Sequence, residues 1–92
     1  MGAQVTEARL KTQVLKYLRT IQYLWVYKAA DQFQSGIPDL IICHAGKFKT
    51  IELKVGKNKL SPIQDYVGKR IEEAGGDFYV CRSLSDVKEA IK

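Results

Sequence analysis

Apolar residues recur at three- and four-residue spacing over residues 6–22, at Ala8, Leu10, Val14, Leu15, Leu18 and Ile21. That period predicts an amphipathic helix, and Arg9, Lys11, Lys16 and Arg19 give it a basic outer face. The pattern then changes. Residues 23–28 are aromatic and β-branched and predict a strand. Residues 29–38 bring Asp, Gln, Ser, Gly and Pro together, the composition of a loop. Residues 39–44 and 48–55 predict two more strands around the turn Ala45-Gly46-Lys47, so that 39–55 forms a β-hairpin.

A second helix follows the basic loop 56–60. Ser61 can cap it, Pro62 suits its first position, and Gln64 completes a capping box. Ile63, Val67, Ile71 and Ala74 share one side, and Gly75-Gly76 stops the helix. Residues 77–82 predict a fourth strand. Ser83 or Ser85 caps a short last helix with Leu84, Val87 and Ile91 on one side. The order is αβββαβα, with no repeat and no low-complexity tract. A strand that follows a helix pairs in parallel, so the fold class is α/β with a mixed four-stranded sheet flanked by helices.

Ninety-two residues are one small domain, spanning residues 1–92. Hydrophobic residues at 46% and charged residues at 27% exclude a disordered chain. A domain this small buries only about 60–65% of its unfolded surface, so a partner subunit would help it. The longest apolar runs, Leu24–Tyr27 and Leu40–Cys43, are far short of the ~20 residues of a membrane span. The first residues lack the basic start and apolar stretch of a secretion signal. Gly2 and Thr6 match a myristoylation pattern only loosely. Cys43 and Cys81 form neither a CxxC nor a disulfide framework. They are expected to be reduced core thiols of a cytoplasmic protein.

One cluster carries chemistry. Gly36-Ile37-Pro38-Asp39-Leu40 opens the second strand, and Glu52-Leu53-Lys54 lies in the third. Alternation puts Glu52 and Lys54 on one face, roughly 6–7 Å apart, and Ile51, Leu53 and Val55 on the other. Pairing of the hairpin brings Asp39 and Glu52 to its open end. Pro38 cannot donate to a ladder and so belongs at a strand's start. Taken singly, an Asp after Pro is commonly a turn residue, and E-x-K on a strand a surface ion pair. Together, two carboxylates and an ammonium suit metal-assisted phosphodiester hydrolysis. Mg²⁺ takes oxygen ligands, commonly one or two carboxylates, waters and a substrate phosphate. The metal activates water, and a lysine beside it orients that water and stabilises developing charge.

The combination Gly36-Ile37-Pro38-Asp39, Glu52-Leu53-Lys54 and Gln64 resembles the VRR-NUC domain, a branch of the PD-(D/E)xK nuclease superfamily. The resemblance covers nearly the whole chain, and the length is similar to that of stand-alone, mostly phage and bacterial, members. It implies a restriction-endonuclease-like core. It implies Asp39, Glu52 and the Leu53 backbone carbonyl as ligands of Mg²⁺ or Mn²⁺, with Lys54 as the catalytic lysine and Gln64 as the family's glutamine near the site. Glu7 matches an acidic position that can complete the metal site. It equally suits a first-turn carboxylate at the positive end of a helix. Family members include structure-selective DNA nucleases. The stand-alone ones resemble Holliday junction resolvases in forming homodimers, inside a bacterial or phage-infected cell.

His44 is the only histidine, which leaves no zinc site and no His-based triad. No P-loop is present, so no nucleotide cofactor is implied. Fifteen Lys and Arg against ten Asp and Glu give a net charge of +5. Lys47, Lys49, Lys57 and Lys59 flank the candidate site and are expected to hold DNA phosphates. Two readings stand. One is a metal-dependent endodeoxyribonuclease acting on branched DNA or nicking duplex DNA. The other is a non-catalytic basic nucleic-acid-binding module of a phage or repair complex, which has no need of two carboxylates inside a basic surface. The aromatic run 23–27 offers more apolar area than one face of a small sheet buries. A homodimer is expected to cover it, the alternative being a central strand covered on both sides.

Overall fold

The computed structural model describes residues 6–92; Gly2 of the myristoylation pattern lies outside them. The elements are α1 (Glu7–Leu18), β1 (Leu24–Lys28), β2 (Leu40–His44), β3 (Lys47–Leu53), α2 (Pro62–Glu73), β4 (Asp77–Cys81) and α3 (Leu84–Ala90). No helix among the described residues is long and apolar enough to cross a membrane.

Helix α1 starts at a Thr6 cap, whose hydroxyl accepts from the Arg9 N–H at 3.1 Å. It ends before the periodicity does. The N–H groups of Thr20 and Ile21 reach back only three residues, to the Tyr17 and Leu18 carbonyls. The Thr20 hydroxyl also donates to the Tyr17 carbonyl at 2.6 Å. Such i→i+3 bonds tighten and close a last turn. Tyr23, at φ 62°, then turns the chain into β1.

The four strands lie in the order β1-β2-β3-β4. β1 pairs with β2 and β2 with β3 in antiparallel fashion, and β3 pairs with β4 in parallel. The β2–β3 turn is shorter than the sequence suggests. Lys47 already belongs to β3, opposite His44, and only Ala45 (φ 50°) and Gly46 (φ 82°) form the loop. Positive φ at both central residues is what a type I′ hairpin turn requires.

Helices α1 and α3 cover one face of the sheet. Leu10, Val14 and Leu18 meet Leu40, Ile42, Ile51, Leu53 and Cys81, and Val87 and Ile91 close the core. Helix α2 lies on the other face, and a Cβ added at Gly68 would stand 2.5 Å from the Phe78 ring of β4. Glycine there costs helix stability of about 1 kcal/mol relative to alanine and lets the helix approach the sheet. Ser83 caps α3 by accepting from the Asp86 N–H at 3.1 Å.

One alternative is excluded and one expectation is corrected. β1 is an edge strand, so it is not the central, doubly covered strand of the alternative reading. Trp25 and Tyr27 are 59% and 51% exposed and stack in parallel with centroids 6.1 Å apart. Cys43 is exposed rather than part of the core, because it points to the same uncovered face as its cross-strand partner Trp25. Cys81 is buried as expected, and burial, with Asp86 adding to it, pushes its thiol up to about 12.

Candidate active site

Asp39 immediately precedes β2. Leu40 pairs with Ile51, so the next rung sets Asp39 opposite Glu52. The Asp39 residue is held from both sides. Its backbone carbonyl accepts from the Ala29 N–H at 2.9 Å, and its carboxylate Oδ2 accepts from the Leu53 N–H at 2.8 Å. Pro38, before it, is fully buried. Gly36 adopts φ 82°, and a Cβ there would lie 2.8 Å from the Ile63 carbonyl oxygen. The Gly-x-Pro-Asp segment therefore needs glycine for its left-handed backbone and for close approach to the first turn of α2.

Glu52 is 3% exposed, on the face of β3 opposite Ile51 and Leu53. Two side chains meet it, one from α2 and one from the end of its own strand. Gln64 Nε2 donates to Glu52 Oε2 at 3.3 Å, and Lys54 Nζ stands 3.8 Å from the same oxygen. Gln64 is oriented by its own helix cap. Its Oε1 accepts from the Ser61 N–H at 2.9 Å, and its N–H donates to Ser61 Oγ at 3.3 Å. With the amide oxygen committed to the cap, the NH₂ group faces Glu52. Lys54 is placed by its backbone N–H, which donates to the Cys81 carbonyl at 3.0 Å and prolongs the β3–β4 pairing.

Burial raises the Glu52 carboxyl from 4.5 to about 7, and Asp39 adds to the rise through its charge and a shared hydrogen bond. Lys54 pulls in the opposite direction, and Glu7 adds a smaller upward push. Glu7, at the start of α1, is thus within electrostatic reach of Glu52. A pair of adjacent carboxylates, one raised this far, is a site whose ionised form a cation would stabilise. The donor set is all oxygen, which fits Mg²⁺ or Mn²⁺. Among the described residues no group of three or more His, Cys, Asp or Glu side chains converges as a metal cage. A cation held by two carboxylates would keep waters or substrate oxygens on its other positions, as Mg²⁺ commonly does.

Lys11 is a member of the site that the helical period alone misplaces. The period puts it on the outer face of α1, but Lys11 Nζ lies 3.3 Å from Asp39 Oδ1, with both side chains largely shielded from solvent. The available signal is its position one turn after Glu7: residues i and i+4 share a helix face.

The lysines expected to hold phosphates do not form one patch. Lys57 and Lys59 are exposed on the loop after Lys54, and that loop is tied down by Arg82 Nη1, which donates to the Gly56 carbonyl at 3.0 Å. Lys47 is exposed at the hairpin end of β3, about 17 Å along the strand from Glu52 at 3.3 Å per residue. Lys49 is corrected outright. It is 3% exposed, and its Nζ donates to the Ala90 carbonyl at 3.1 Å. Its alternation with Ile51 and Leu53 sends it into the core, where it caps the end of α3.

A mixed sheet with helices on both faces, carrying Pro-Asp and Glu-x-Lys at adjoining strand ends, is the arrangement of the PD-(D/E)xK nucleases. Within that superfamily the chain belongs to the VRR-NUC domain family, whose model matches residues 3–85. It is therefore a nuclease-family protein with a DNA substrate, in a family that generally uses divalent metals. Two solved structures share the fold. A "VRR_NUC domain" is 24% identical, with a TM-score of 0.78 and 90% of each chain covered. A "VRR_NUC domain protein" is 20% identical, with a TM-score of 0.79, covering 97% of this chain and 87% of that one. A comparison with curated sequences finds no match.

Proposed function

We propose that the protein is a Mg²⁺- or Mn²⁺-dependent endodeoxyribonuclease that hydrolyses phosphodiester bonds in branched DNA, such as four-way junctions, or nicks duplex DNA. The observation that carries this reading is the buried Glu52 carboxylate beside Asp39, contacted by Lys54 and Gln64. Asp39 and Glu52 would hold the cation, with the Leu53 carbonyl and Glu7 as further oxygen donors. A bound divalent cation supplies charge neutralisation at the phosphate and a more acidic water. Lys54 orients the attacking water and stabilises charge developing on the phosphate oxygens. Gln64 fixes the rotamer of Glu52 through the hydrogen bond that its cap orients. Lys57 and Lys59, on a loop tied down by Arg82, hold the DNA backbone.

We infer a homodimer with two equivalent sites. The β1–β2 part of the α2-side face leaves Trp25, Tyr27 and Cys43 exposed, an apolar patch that an isologous contact would cover. Twofold symmetry suits a branched substrate with equivalent strands. A cleavage panel with Mg²⁺ or Mn²⁺ over linear duplex, flap, four-way junction and supercoiled circular DNA tests the activity. Metal-dependent cleavage that Asp39→Ala abolishes is expected, with the junction cut fastest. Binding without cleavage under every metal would instead mark a non-catalytic module. Light scattering over a concentration series tests assembly, and a monomeric mass at tens of micromolar would end the dimer reading.

A further inference from the structure

Asp39 presents two oxygens, and both have partners. Oδ2 accepts from the Leu53 N–H at 2.8 Å, an anchor provided by the backbone of β3. Oδ1 faces Lys11 Nζ at 3.3 Å. The carboxylate pair is thus bracketed by two ammonium groups, Lys54 beside Glu52 and Lys11 beside Asp39. They differ in how they are mounted. Lys54 follows β3 directly, its backbone bonded to β4. Lys11 projects from α1, whose neighbours Leu10 and Val14 are locked in the core. The Lys11 backbone cannot move away, but its four-carbon stem leaves the ammonium free to swing.

We propose that Lys11 is a positioning residue that couples cation binding to DNA binding: its ammonium neutralises Asp39 until a divalent cation takes that carboxylate, and then turns to a DNA phosphate. The inference rests on the preceding reading that Asp39 and Glu52 hold such a cation. Two cations on one carboxylate repel, so Lys11 and the metal compete for Asp39. The displaced ammonium stays within side-chain reach of the site and needs a new anion. A phosphodiester at that site supplies one. DNA would therefore remove a competitor of the metal, and metal would free a ligand for DNA. By linkage the two affinities rise together and by the same factor.

Calorimetric titration with Mn²⁺ tests this, in the Lys54→Ala background so that DNA stays intact, with and without a short duplex. Lys11→Met and Lys11→Gln remove the charge, and Lys11→Arg keeps it. Without DNA, both neutral variants are expected to bind Mn²⁺ about fivefold tighter than the Lys11 parent, within the range of ordinary coupling energies and partly shielded ion pairs. DNA should raise Mn²⁺ affinity in the parent and in Lys11→Arg, and hardly at all in the neutral variants. A side chain that merely supports α1 would change melting temperature without changing this coupling. Equal Mn²⁺ affinity in the parent and both neutral variants overturns the role of Lys11 while leaving the metal site standing. Tighter Mn²⁺ binding with the DNA effect intact overturns the turn towards phosphate. Failure of the wild-type protein itself to bind Mn²⁺ overturns the metal reading, and this inference with it.

Discussion

Glu52→Gln should make the metal-free protein more stable at pH 8 and leave its stability unchanged at pH 4. Glu52 is buried beside Asp39 and its carboxyl is raised from 4.5 to about 7. Below pH 4.5 it is protonated in both the folded and the unfolded chain, and glutamine is a fair neutral mimic. Between 4.5 and 7 the unfolded chain ionises while the fold keeps its proton, so stability falls as pH rises. At 1.36 kcal/mol per pH unit the loss is complete above pH 7 and amounts to about 3 kcal/mol. Glutamine escapes it. For a domain of this size 1 kcal/mol moves the melting temperature by roughly 4–8 °C, so a difference of about 10 °C or more is expected at pH 8. Circular-dichroism melts in chelator from pH 4 to 8 measure it. Saturating Mn²⁺ should then stabilise the wild type, by about 2.7 kcal/mol at one hundred times its dissociation constant, and the variant much less. A wild-type-to-variant difference that does not change with pH, or a variant less stable at pH 8, would refute the reasoning.

Removing Lys57 and Lys59 together should weaken DNA binding and flatten its salt dependence, by a log–log slope of about 0.9 for each phosphate of duplex DNA that is no longer neutralised; fluorescence anisotropy over a salt series reads it. Lys49→Ala should leave that slope unchanged and destabilise the fold by about 2–4 kcal/mol, as truncation of a buried, hydrogen-bonded side chain does, which denaturant titration measures. Gly36→Ala should lower turnover more than it lowers DNA binding. A Cβ there meets the first turn of α2 at 2.8 Å and pushes Gln64 from Glu52, so cleavage rates compared with anisotropy test it. Ala45→Gly should stabilise the hairpin by about 0.5–1 kcal/mol, because alanine is strained at φ 50°; urea melts show the gain.

The elements and the carboxylate pair are legible because both are written in short spacings. A period near 3.6 marks α1 and α2, a period of 2 marks β3, and Ser61-Pro62-x-Gln64 announces the start of α2 with its cap. The hairpin brings Asp39 and Glu52 to its open end, but the rung that sets them opposite each other follows only from the two-residue turn of the structure, one residue shorter than the sequence suggests. The burial of Lys49 is not legible, although alternation puts it on the face of Ile51 and Leu53. Its charge argues against burial, and only the end of α3 above it, offering the Ala90 carbonyl, reverses that argument. The end of α1 is not legible, because Ile21 continues the period while the backbone has already tightened at Thr20.

By itself, then, the sequence determined which segments are helix or strand, where the hairpin folds, and that Asp39, Glu52 and Lys54 gather at its open end. These follow from local propensity and from pairing between neighbours in the chain. The tertiary structure alone decided the rest: that β1 is an edge with its aromatics uncovered, that Gln64 turns its amide from its cap onto Glu52, that Gly68 admits the Phe78 ring, and that Lys11 reaches across from α1 to Asp39. Each depends on segments that meet only once the chain has folded. Burial and charge at such a meeting depend on how whole helices settle on the sheet, and no local period encodes that.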